Sequence, residues 1–251
     1  MRGERLDRLT VLIRHNFRLR LRDPGHLVSY LVMPMVLMLA FKPLYSSLGA
    51  SGATQTVMGM TVMFSALSLS VVGTATLTER QWQTWERLCV TPASVGELLV
   101  GKAVPVFVLL VCQQVVLMTY GVLVVGMQVT GGELAFLAFS VIVWSCALLA
   151  IGTALAVLAR SHGEMSAITD VGALTLSVLG GAFAPVASMP SWVRDIAPIS
   201  PGYWAMTMYR AATDGQPRVV LSSALVLAAI TVAAAALAVF RANRGLSPLK
   251  G

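Results

Sequence analysis

Residues 96–103, Gly-Glu-Leu-Leu-Val-Gly-Lys-Ala, come within one side chain of the GxxxxGK[ST] loop that wraps the phosphates of a nucleotide. In such a loop the glycines free backbone amides to face the phosphates, and the lysine reaches the terminal ones. The pattern then needs a Ser or Thr hydroxyl to hold magnesium, and Ala103 has none. A phosphate loop also follows a buried strand, whereas Gly101 and Lys102 open an apolar run of helix length. Lys102 therefore reads as an anchor at a membrane boundary. Other chemistry-bearing residues are sparse. His15, His26 and His162 stand apart, with no HExxH and no carboxylate at ligand spacing, so no metal site is expected. Cys89, Cys112 and Cys146 form no CxxC pair and read as packing residues. There is no serine elbow and no paired-carboxylate arrangement. The chain is expected to bind no cofactor and to catalyse no reaction by itself.

Charge is the remaining chemistry. Residues 78–102, TERQWQTWERLCVTPASVGELLVGK, form the only long charged segment between two apolar runs. Thr84 to Leu88 suit a helical turn at a membrane surface, with Trp82 and Trp85 at headgroup level. Thr91-Pro92 breaks it, because proline cannot continue a helix. Ser94 and Glu97 then make a capping box that starts the next helix. The product is a short bracket with Glu79, Arg80, Glu86 and Arg87 facing water. On pattern alone it is either a docking element or a solvated connector.

The elements that must hold this bracket are set by composition. With 57% hydrophobic and 12% charged residues, and a mean hydropathy of +0.78, the chain has too little polar surface for a soluble globule. Windows of about 20 residues, the length that crosses ~30 Å of hydrocarbon, give six spans at 27–48, 57–77, 104–126, 134–158, 166–186 and 219–240. Each should be a helix, since a backbone in lipid must satisfy its own hydrogen bonds. The expected fold is an all-α membrane protein, one domain over residues 1–251. No cleavable signal peptide is expected, because the first apolar run starts only after residue 26 and is as long as a span. Residues 1–26 instead carry Leu6, Leu9, Ile13, Phe17 and Leu21 at steps of three and four, with Arg8, Arg14, Arg18 and Arg22 on the other side. That pattern is an amphipathic helix along the inner leaflet, as either an anchor or a lever.

Orientation follows from the basic residues. Arg2, Arg5, Arg8, Arg14, Arg18, Arg20 and Arg22, with Arg80, Arg87, Lys102, Arg160, Arg241, Arg244 and Lys250, place 14 of the 18 on one side. The outer segments keep Arg194, Arg210 and Arg218, with Lys42 near the outer end of the first span. Both termini are then cytoplasmic. The net charge of +7 is accounted for by this bias, with no nucleic acid as partner.

These residues resemble the permeases of the ABC type-2 export family, among them antibiotic-resistance permeases such as those for daunorubicin and doxorubicin. The inner-loop pattern of that family is matched by Glu79-Arg80, Thr84, Glu86-Arg87-Leu88, Thr91-Pro92 and Gly101-Lys102, with Gln83 where the family has glycine. A second match runs through Gly180-Gly181, Pro185, Met189-Pro190, Trp192, Pro198, Pro201 and Tyr203, similar to the re-entrant outer element that follows the fifth helix in the family. The resemblance covers nearly the whole chain. It implies half of a transporter in a bacterial cell membrane, paired with a second permease copy or a homologous permease. Two ABC ATPase subunits, which hold the ATP and magnesium, would dock beneath, and the inner loop would convey their motion.

The substrate path is marked less clearly. Span 5 is the most polar, and Asp170 is an intramembrane carboxylate, read either as functional or as a partner of the helix N-terminus. Met35, Met38 and Met63 could line a promiscuous apolar route or simply pack. The leading expectation is an ATP-driven export permease for a drug, antibiotic or lipid. A glycan exporter permease of the same fold is the second reading, and an ATPase-independent membrane transporter the third.

Overall fold

The computed structural model describes residues 10–18, 25–47, 50–70, 95–159 and 161–245. Every regular element among them is helical, as expected for a backbone without water to bond to. In chain order they are α1 (residues 10–18), α2 (Gly25–Ala40), α3 (Lys42–Ser46), α4 (Ala50–Leu67), α5 (Val95–Tyr120) and its terminal π-turn (Gly121–Val125). There follow α6 (Leu134–Leu158), α7 (His162–Leu179), α8 (Ser191–Ile196), α9 (Pro201–Thr213) and α10 (Pro217–Gly245). Helix hydroxyls mostly return to the carbonyl four residues back. Thr61 Oγ1 donates to Val57 O at 2.7 Å and Thr169 Oγ1 to Met165 O at 2.8 Å, which lets polar side chains sit in apolar helices without other partners.

Among the described residues, three stretches are long and apolar enough to cross a membrane: Ala103–Val125, Leu134–Leu158 and Pro217–Arg241. At 1.5 Å per residue the 25-residue ones rise about 37 Å, more than the ~30 Å of hydrocarbon. The apolar part of α2, Val28–Ala40, is shorter. Helices α4 and α7 have 18 residues each and carry more polar side chains.

The elements differ from the expected spans at their ends, for identifiable reasons. The first span stops at Ala40 instead of 48, where Lys42 and Pro43 start a separate turn. The second begins at Ala50 rather than 57, because the polar run Thr54, Gln55 and Thr56 lowers hydropathy without breaking the helix, and Thr56 Oγ1 bonds Gly52 O at 2.8 Å. The fifth ends at Leu179 rather than 186, where Gly180 caps it and Gly181 takes a left-handed φ of 89°. There the chain uses the freedom of glycine to reverse, as it does at Gly126 and Gly215. Helix α9, at 13 residues, is too short for any span-length window.

Helix α4 is the centre of the bundle. It is buried along nearly all of its length, with Val57, Met58, Thr61 and Val62 between 0 and 1% exposed. It lies against α2, α5, α7 and α9, while α6 and α10 form the most extensive pair and α9 packs on α10. Met38, Met58, Met60, Met63, Met206 and Met208 fill this core with flexible side chains that suit its irregular gaps. Outward, α2 shows Val28, Val32, Met33, Val36 and Leu39, and α7 shows Ile168, Val171, Leu174 and Val178. Such continuous apolar faces suit lipid or another apolar surface, not water.

Candidate functional site

The bundle centre holds a set of polar side chains that tie the short helix α9 to its neighbours. Ser200 caps α9, accepting from Gly202 N at 3.1 Å, and donates through the same Oγ to Leu176 O of α7 at 2.7 Å. Nearby, Gly180 and Gly202 bring the two backbones together, since a Cβ on Gly180 would sit 2.6 Å from the Gly202 carbonyl carbon. Farther along α9, the hydroxyl of Tyr209 donates to Gln114 Oε1 of α5. Gln114 Nε2 in turn donates to Ser145 Oγ of α6 at 2.8 Å. All three side chains are fully buried. One residue later, Arg210 donates to Gln55 Oε1 of α4, and Gln55 Nε2 donates to Gly181 O at 2.6 Å.

Two further side chains, Trp144 and Gln113, fasten α4. Trp144 Nε1 of α6 donates to Ser65 Oγ at 2.9 Å. Gln113 of α5 accepts from Ser68 Oγ at 2.8 Å and donates to Phe64 O and to Tyr30 O of α2, both at 3.2 Å. Gln113 and Gln114 are consecutive, so they point to different sides of α5 and hold different partners. In an apolar medium an unmade bond of this kind costs about 1–3 kcal/mol, so each amide fixes the register of two or three helices at once. Ser223 on α10 is buried with no hydrogen-bond partner for its hydroxyl among the described residues.

Backbone contact completes the arrangement. Gly59 of α4 faces Ala182, in the turn after α7, so closely that a Cβ would lie 1.8 Å from the Ala182 carbonyl oxygen. The turn thus meets α4 without intervening side chains, as the end of α7 meets α9 at Gly180 and Gly202. The segment between α7 and α9 contains the expected outer-element residues. Gly180 and Gly181 end α7, Pro185 precedes a 3-10 turn (Val186–Ser188), Pro190 caps α8, Pro198 lies in a second 3-10 turn (Ala197–Ile199), and Pro201 is the first residue of α9. Trp204 Nε1 donates to Pro198 O at 2.8 Å, closing the return.

Asp170 is exposed on α7, on a different side from the buried stripe of Met165, Thr169, Ala173 and Ser177. The helix start is capped by Ser161, which accepts from Glu164 N at 3.1 Å, and Asp170 lies more than two turns beyond it. A role at the helix N-terminus is therefore closed to it, since the dipole acts within the first turn. Met38 and Met63 are buried in the core, and Met35 is half-buried against it. Asp170 does not join them at a common surface. The expected coupling residues Glu79, Arg80, Thr84, Glu86, Arg87, Leu88, Thr91 and Pro92 lie outside the described residues, as does Ser94 of the expected capping box.

Sequence reasoning passed over Gln55, Gln113, Gln114, Ser145 and Tyr209. The signal available was the pair Gln113-Gln114 in the middle of an apolar span, where an amide without a partner is costly. Their partners could not be read, because they lie on helices distant in sequence.

Among the described residues the chain is an all-helical bundle with apolar helices of membrane length, which defines a membrane-embedded domain. Residues 7–213 match the ABC-2 type transporter family, and the chain belongs to that family. Among curated relatives it is similar to proteins of Escherichia coli strain K12 and of Escherichia coli O157:H7, each named "Probable multidrug ABC transporter permease YbhR". It is 24% identical to each over 123 residues, which are 49% of this chain and 33% of the relative. The match thus spans a third of the length of those relatives.

Proposed function

We propose that the chain is the transmembrane permease subunit of an ATP-driven ABC exporter, moving a hydrophobic or amphipathic substrate such as a drug, antibiotic or lipid out of the cell. The observation that carries this is the family match over residues 7–213 on a bundle that contains several apolar helices of membrane length. Six spans are formed by α2, α4, α5, α6, α7 and α10, with both termini in the cytoplasm of a bacterial cell. Helices α8 and α9 make the re-entrant outer element after the fifth span. Two ATPase subunits bind the ATP and magnesium, and a second permease, identical or homologous, completes the pathway. The loop with Glu79, Arg80, Thr84, Glu86, Arg87, Leu88, Thr91 and Pro92 receives the ATPase motion and passes it into α5. Support for an amphipathic cargo comes from the multidrug permease name of the curated relatives and from the apolar face that surrounds Asp170 on α7.

The coupling loop is the part to test. As a solvated connector, its Glu86 and Arg87 would contribute at most about 1 kcal/mol through exposed ion pairs. Seated against an ATPase, truncating such a desolvated charge contact costs about 2–5 kcal/mol in binding. The Glu86→Ala, Arg87→Ala double variant should insert and express normally, yet lose ATPase association and export. Wild-type association together with wild-type export would make the loop a connector.

A further inference from the structure

We infer that α1 carries a docking face for anionic phospholipid headgroups, with Arg14 and Arg18 as its paired ligands. The helix is divided cleanly: Leu12, Ile13, Asn16 and Phe17 are half-buried, whereas Thr10, Val11, Arg14, His15 and Arg18 are exposed. Its inner face is fixed to the start of α5. Asn16 Nδ2 donates to Gly101 O at 3.3 Å and to Leu12 O at 3.0 Å. Gly101 is buried under Leu12, close enough that a Cβ on Gly101 would stand 3.0 Å from the Leu12 Cβ. Two residues later, Ala103 opens the membrane-length stretch Ala103–Val125. Where that stretch crosses a membrane, the contact sets α1 at the depth where hydrocarbon gives way to headgroups.

The outer face at that depth is cationic. Arg14 and Arg18 are one helical turn apart on the same side, an arrangement of like charges that weakens a helix unless an anion sits between them. The sequence supplies none locally, because no Asp or Glu occurs between Asp7 and Asp23. Planar guanidinium groups match phosphate oxygens in pairs, and a phosphate-bearing lipid is the anion present at this level of a membrane. Each basic residue at an anionic surface strengthens attachment about fivefold, so the pair contributes about thirtyfold. The inference requires that α5 cross a membrane, and nothing about what the chain transports.

The test uses the full-length chain with Cys89, Cys112 and Cys146 replaced by Ala and a single Val11→Cys carrying an environment-sensitive fluorophore, in detergent. Titration with short-chain phosphatidylglycerol should give a saturable response that phosphatidylcholine does not. Arg14→Gln with Arg18→Gln should weaken it about thirtyfold, and Lys at both positions should preserve a saturable response. An equal response to both lipids, or an unchanged affinity in the Gln variant, overturns the proposal. So does a response that appears only when an ATPase subunit is added, which would make the face a protein contact. Should the cysteine background fail to fold, phosphatidylglycerol co-purifying per chain is compared between the wild type and the Gln variant. A fall supports the proposal and equal amounts overturn it.

Discussion

Gly59 has room for nothing larger than hydrogen, because the Ala182 carbonyl oxygen occupies the place of a Cβ at 1.8 Å. The obstacle is backbone and cannot rotate away, so α4 and the turn after α7 would have to separate. Gly59→Ala should therefore lower stability by about 1–3 kcal/mol, the usual cost of forcing an added methyl group into a packed interior. Gly172→Ala on α7 meets nothing within 4 Å and should raise stability by about 0.5–1 kcal/mol through helix propensity. Thermal unfolding of the two variants in the same detergent checks both, and equal midpoints would contradict the close approach. Of these positions only the pair Gly180-Gly181 stood out in the sequence, because doubled glycine beside Pro185 signals a break. Gly59 could not be singled out, since its partner is a carbonyl more than a hundred residues away. Separation in sequence likewise hid the partners of Gln55 and Gln114, whose amides bond Arg210 and Tyr209 on α9.

At the scale of elements, hydropathy found the long helices and mislaid the short ones. The span expected at 134–158 coincides with α6, because nothing polar blurs its ends. The span expected from hydropathy starts seven residues after α4 does, because Gln55 and Thr56 look like loop residues until their hydrogen bonds are known. Helix α9 leaves no span-length signature, since it runs for only 13 residues and its buried residues are mostly Ala, Met and Gly. Its start depends on Ser200, whose hydroxyl both caps α9 and holds the last turn of α7 through Leu176 O. Ser200→Ala should cost about 0.5–2 kcal/mol, the range for a lost N-cap. Ser200→Thr, which keeps the hydroxyl, should cost less. Protease susceptibility of the segment between α7 and α9 should rise in the Ala variant alone, and equal cleavage of both variants would show that the cap does not hold this hairpin.

At the scale of the whole molecule, the proposed arrangement puts 14 of 18 basic residues on one side of the membrane. In a background without native cysteines, Ser94→Cys and Ser247→Cys should be labelled only from the cytoplasm. Ser51→Cys and Ser191→Cys should be labelled only from outside. Labelling of positions 94 and 191 from the same face would refute the six-span topology. The energy source tests the account most directly. In the proposed reading a partner drives export, since the GxxxxGK pattern of this chain ends in Ala103. The full-length chain should therefore co-purify with an ATPase subunit bearing a phosphate-binding loop, and ATP hydrolysis should be measured in that complex and be absent from the purified chain alone. Hydrolysis by the ATPase-free chain, or ATP-independent export from vesicles that contain only this chain, would contradict the account.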